Sequence, residues 1–121
     1  MDPVTGLSLG RILIGIGALV APGPTAKAFG LDPARNPQLS FFGRMFGARE
    51  IALGAVTLAS RGSLRRNLTL VGVAVDGADA ASGIAELKGG AVPKPAAGLL
   101  AGVAVGAVAA GLLAVVKNRG Q

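Results

Sequence analysis

With 121 residues, 51% hydrophobic and only 15% charged, and a mean hydropathy of +0.61, the chain is one domain, far more apolar than a typical soluble domain of its size, with a soluble helical bundle as the minor alternative to a membrane protein. It holds no cysteine and no histidine, which excludes disulfides, thiolate chemistry, imidazole metal sites and histidine-ligated haem. The net charge of +6 does not point to nucleic acid, because tryptophan and tyrosine are absent and only four phenylalanines exist to interleave a basic face.

The charge reads instead as lysine and arginine in membrane-flanking loops. Met1–Thr5 carries no basic run and no small-residue cleavage pattern follows, so the first apolar stretch is expected to be retained as a span. That span covers about Val4 to Ala21, with Pro3 suited to its first turn and Pro22-Gly23-Pro24 stopping it. Arg11 lies on a small or polar stripe, Ser8-Arg11-Gly15-Ala18. In the connection that follows, Thr25–Phe29 suits one interfacial helical turn closed by Gly30, and Asp32-Pro33 and Asn36-Pro37 mark turns.

The second span is expected over Leu39–Ser60. Ser40, Gly43, Gly47, Glu50, Gly54, Thr57 and Arg61 recur along it as a heptad-like seam of small and polar residues, with Phe41, Phe42, Met45, Phe46, Ile51 and Leu53 elsewhere. Arg61–Arg66 reads as a basic loop turning at Gly62-Ser63. The third span, about Asn67–Leu87, repeats the pattern with Thr69, Gly72, Asp76, Asp79, Gly83 and Glu86, and Lys88-Gly89-Gly90 ends it. Pro93 and Pro95 precede an uncharged fourth span, about Ala96–Val116. Its Gly98, Gly102 and Gly106 form two overlapping GxxxG steps, expected to pack within the bundle, with dimerisation as the alternative.

The expected fold is therefore all-α: one domain over residues 1–121, a four-helix transmembrane bundle with helices at about 4–21, 39–60, 67–87 and 96–116. The Arg61, Arg65, Arg66, Lys117 and Arg119 side outweighs Lys27, Arg35, Lys88 and Lys94, which puts both termini in the cytoplasm. The 3.5-residue spacing on the second and third spans predicts that they pack on each other, antiparallel and left-handed.

Six ionisable residues fall well inside the spans: Arg11, Arg44, Arg49, Glu50, Asp76 and Asp79. Each charge at a bilayer centre costs roughly 2.5–3.5 kcal/mol, while an aliphatic side chain returns roughly 0.3–0.6 kcal/mol, so the third span does not insert alone. Asp76 and Asp79 are expected to pair with Arg49 and Arg11 inside the bundle, with Arg44 reaching the outer interface and Glu50 lacking an obvious partner. The preferred role of these charges is a structural clasp; a proton or ion relay, or a mid-membrane ligand site, is the alternative. No metal or other cofactor is expected, because the arginines compete for Asp76, Asp79 and Glu86. Gly15-x-Gly17 lies within a membrane helix with no preceding strand, so it is not a dinucleotide loop.

Gly10-Arg11, Pro22, Phe29-Gly30-Leu31 and the run Arg44-x-Phe46-Gly47-x-Arg49-Glu50-x-x-Leu53-Gly54 resemble a family of small four-helix bacterial membrane proteins of unknown function, loosely DoxX-like. The resemblance spans about Leu7–Ala114. It implies four helices and residence in a bacterial plasma membrane, and it brings no activity with it. The expected function is a non-enzymatic accessory or scaffold subunit, touching lipid and either another membrane protein or a second copy of itself, and no nucleic acid. Gly43, Gly47, Gly54, Gly72, Gly83, Gly98, Gly102 and Gly106 are its expected packing positions. The alternative is a small proton-coupled transporter or carrier titrating at Asp76, Asp79 and Glu50. It would match small multidrug transporters in size while lacking the aromatic residues that cradle cationic drugs there. A redox membrane enzyme borrowing its cofactors from a partner comes third.

Overall fold

The structure is a computed structural model that describes residues 2–117; Arg119 of the expected C-terminal basic pair lies outside them. The described chain is helical, in the order α1 (Pro3–Val20), α2 (Pro22–Ala28), α3 (Leu39–Ala59), α4 (Gly62–Gly89) and α5 (Lys94–Lys117).

Asp2 caps α1, its carboxylate accepting from the Thr5 N–H at 2.9 Å and the Thr5 hydroxyl at 2.9 Å. The helix stops at Val20, but the prolines do more than stop it. Pro22 opens α2, because a proline in a first turn forfeits no helical hydrogen bond, and the expected single turn becomes a seven-residue helix.

The expected basic loop Arg61–Arg66 is also mostly helix, since α4 begins at Gly62. Arg65 explains why. Its guanidinium donates to the carbonyls of Thr57 (3.1 Å), Leu58 (3.4 Å) and Ser60 (3.4 Å), covering the open carbonyls at the end of α3. It also reaches the Asp2 carboxylate at 3.3 Å and the Thr5 hydroxyl at 2.8 Å. One arginine thus braces the start of α1, the end of α3 and the start of α4. At the other end of α4, Gly90 takes a left-handed φ of +79°, which closes the helix.

Three helices, α1, α4 and α5, are long and apolar enough to cross a membrane. With 21 residues α3 is also long enough, but it carries Arg44, Arg49 and Glu50. The buried apolar residues are Val4 and a set of alanines (Ala18, Ala80, Ala96, Ala97, Ala101, Ala104 and Ala114), while Leu13, Val20, Phe41, Leu113 and Val116 face outward. Small residues inside and bulky apolar residues outside are the pattern of helices packed in lipid.

The helices pair as α1 with α3 and α4 with α5, with sparser contact between the pairs. This overturns the expected packing of the second span on the third. The α3 seam meets α1 instead: a Cβ placed on Gly47 falls 2.5 Å from the Gly15 carbonyl oxygen, and one on Gly54 falls 2.7 Å from that of Ser8. On α4, a Cβ on Gly83 meets Ala101 of α5 at 2.9 Å, and one on Gly72 meets the Arg11 guanidinium at 2.7 Å. Gly43 abuts Pro22, where α2 begins.

Gly98, Gly102 and Gly106 have nothing within 4 Å of a Cβ and face away from the bundle, contrary to expectation. Roughly the opposite side of α5, with Ala97, Ala101, Ala104, Gly111 and Ala114, is equally small and turns inward. Close approach needed small residues, not glycine. These contacts make both pairs antiparallel and bring the start of α1, the end of α3, the start of α4 and the end of α5 to one end of the molecule.

Candidate functional site: a buried ion network beneath a cavity

At the level where the two helix pairs meet, Arg11 projects from α1 into the gap. Its Nη1 donates to Glu50 Oε2 of α3 at 2.9 Å and to Asp76 Oδ1 of α4 at 3.0 Å, while Nη2 donates to Asp76 Oδ2 at 2.5 Å. The guanidinium thus forks onto Asp76 in the bidentate geometry that suits arginine and carboxylate. Beside it, Arg49 of α3 donates to Asp79 Oδ2 at 2.6 Å and Oδ1 at 3.4 Å, and to Glu50 Oε1 at 3.1 Å. The Arg11–Asp76 side chains are 9% and 6% exposed, against 38% and 35% for Arg49–Asp79. The first pair is the buried centre of the network and the second its more exposed rim.

Glu50 accepts from both arginines, whereas the sequence suggested no partner for it. Its position on the Gly47–Gly54 seam carried the signal, because that seam packs on α1 and turns Glu50 toward Arg11. Arg44 stands exposed and has no ion pair among the described residues, so the network has five members, not six. Arg44 lies five residues before Arg49 on α3, off the buried seam of Gly47, Glu50, Gly54 and Thr57.

Oxygens of Glu50, Asp76 and Asp79 lie within 4.8 Å of one another, close enough for a cation. All six of their carboxylate oxygens already accept from Arg11 or Arg49. A metal ion would have to displace guanidinium groups, and none is assigned. Three carboxylates on two arginines nonetheless leave one negative charge unmatched.

The network forms the floor of a cavity of about 590 Å³ between the helix pairs. Gly10, Ile14 and Ala18 of α1, Phe42 and Phe46 of α3, and Leu100 and Ala104 of α5 give it apolar walls. Pro22, Thr25 and Ala26 of α2, with Phe29, lie across one end. At the other end the helices close, with a Cβ on Gly111 falling 2.5 Å from Val73 Cγ2 and 3.8 Å from Leu7 Cδ2. Glu86 also lines the cavity, and its Oε2 is buried without a hydrogen-bond partner. It sits on the same α4 stripe as Asp76 and Asp79 but close to the end of the expected span, which is why the sequence left it out of the buried set.

The fold and this site define a class: an all-helical protein with three helices fit to cross a membrane and a buried arginine–carboxylate network. Set against known protein families, curated proteins and solved structures, the chain matches none.

Proposed function

We propose that this is a four-span bacterial plasma-membrane protein that carries a small amphiphilic molecule in the inter-pair cavity, with proton binding at the Glu50–Asp76–Asp79 floor coupled to ligand binding. The single observation that carries this reading is the convergence of three carboxylates on two arginines at the floor of a mostly apolar cavity. A clasp that only fixed helix register would favour equal charge and no adjoining space. An unmatched carboxylate in a low-dielectric setting invites a proton or a cation, and intramembrane carboxylates beside cavities commonly mark such pathways. The sparse contact between the helix pairs suits movement of one pair against the other. In this reading α3 is the fourth span, its charges shielded by α1 and α4, both termini are cytoplasmic, and the DoxX-like resemblance fits the same four-helix arrangement.

The test uses three probes of similar shape and different charge: tetraphenylphosphonium, tetraphenylborate and neutral triphenylphosphine oxide. At least one is expected to bind the purified protein saturably, with an affinity that varies with pH in the parent and not in Asp76→Asn. A pH gradient should drive that probe across proteoliposomes. Absence of binding by all three to folded protein would sink the carrier reading.

One observation favours a second reading, a non-enzymatic accessory subunit. The Gly98-Gly102-Gly106 face of α5 is open, and small-residue faces let helices associate closely. A stoichiometric membrane partner in mild detergent, with no probe flux, would support it.

A further inference from the structure

We infer that the cavity takes an amphiphilic organic cation, its charged head at Glu86 and its apolar body against Phe29 and Phe42. This rests on the carrier reading and names its ligand class.

Charge complementarity decides the sign. The cavity is lined by one guanidinium, Arg11, and four carboxylates, Glu50, Asp76, Asp79 and Glu86. Arg49, bonded to Asp79 and Glu50, raises the cations to two. Neither α2 nor α5 adds an ionisable side chain to the lining. An anion entering this space meets excess negative charge in a low dielectric, and a neutral molecule leaves that excess unmet. A cation offsets it.

Hydrogen bonding decides the position. The floor carboxylates have every oxygen engaged by a guanidinium, whereas Glu86 Oε2 is buried with no partner. Such an oxygen bears its desolvation cost uncompensated, and a cation brought close to it offsets that cost. Glu86 follows Asp79 by seven residues, about 10 Å along the helix, so head and proton site are separate but share one wall.

The aromatic residues point the same way. The sequence contains four phenylalanines, and three of them, Phe29, Phe42 and Phe46, gather in the cavity. Arg49 already stands over Phe46, 5.2 Å from its centroid. Phe29 and the largely exposed Phe42 line the cavity with no cation over either ring among the described residues. The scarcity of aromatic residues, which weighed against a cationic ligand at the sequence level, is offset by where they sit. A volume of about 590 Å³ is within the usual range of small-molecule sites.

The test measures equilibrium binding of the same three probes to the full chain in nonionic detergent. Tetraphenylphosphonium, which has no hydrogen-bond donor and so reads charge alone, should bind at least about tenfold tighter than tetraphenylborate or triphenylphosphine oxide, a ratio that one close opposite charge supplies. Its affinity should rise with pH, because protons bound at the floor carboxylates remove the excess negative charge that favours a cation. Glu86→Gln should weaken it about tenfold at unchanged helical content, and Glu86→Asp should keep part of the affinity. A folded Glu86→Gln that binds as the parent does overturns the Glu86 assignment, as does a folded Glu86→Asp no better than Gln. Tetraphenylborate binding as tightly as its cationic twin overturns the cation class and leaves the cavity as a ligand site. Failure of every probe on the folded parent removes both the class and the carrier reading.

Discussion

Arg11 serves two carboxylates from two helices, and its loss affects them unequally. Glu50 keeps Arg49, but Asp76 loses its only guanidinium while 5% exposed. Arg11→Met should therefore cost about 3–5 kcal/mol, and adding Asp76→Leu should recover most of it, because an uncompensated buried charge is worse than an apolar pair. Thermal unfolding in detergent measures both. Asp79→Ala should cost less than Arg11→Met, since Arg49 retains Glu50. Outside the spans, the Thr5 N–H foremost holds the Asp2 carboxyl below its ordinary 3.8; burial opposes this, and the Thr5 hydroxyl and Arg65 reinforce it. That contribution is complete above the ordinary value and is lost as pH falls through the lowered one. Asp2→Asn should accordingly flatten the acid limb of stability in that window, read from melting temperature against pH. The charges themselves were legible in the sequence, because ionisable residues inside apolar runs stand out. The role of Glu50 as a bridge was not, since it depends on which helix the α3 seam meets.

Helix α3 owes its place to glycines that admit the backbone of α1. A side chain at Gly47 has a carbonyl oxygen at 2.5 Å and the Leu19 nitrogen at 2.8 Å, atoms that cannot rotate away. Gly47→Val should destabilise by about 1–3 kcal/mol or more, the ordinary range for overpacking. Gly102→Val, with open space around it, should stay within about 0.5 kcal/mol in the isolated protein, and the two melting temperatures compare them directly. The seams were readable as spacing, but spacing does not name a partner. Two small faces of equal period suit each other, and each also suits α1 or α5. The register of α5 is hidden for a related reason: its alanine face is as narrow as its glycine face, and only the contacts with α4 and α1 distinguish them. The early start of α4 was hidden because arginines near a helix end look like loop charge until one of them caps the preceding helix.

At the scale of the molecule, two antiparallel pairs meet around an ion network, and the space left between them holds most of the aromatic side chains and an acidic wall from α4. Hydropathy and length made the all-helical, membrane-fit character plain. The cavity was not legible, because it arises from how the pairs lean together. The central claim of the carrier proposal is that water-soluble cations reach this space while the outer face of α5 lies in lipid. The absence of native cysteine makes a direct test available: Gly10→Cys beside Arg11 in the cavity wall and Gly102→Cys on the outer face, both sites with open space for a Cβ. In proteoliposomes a cationic, water-soluble methanethiosulfonate should label Gly10→Cys rapidly and Gly102→Cys hardly at all. Equal labelling of the two, or labelling of Gly102→Cys alone, would contradict the account.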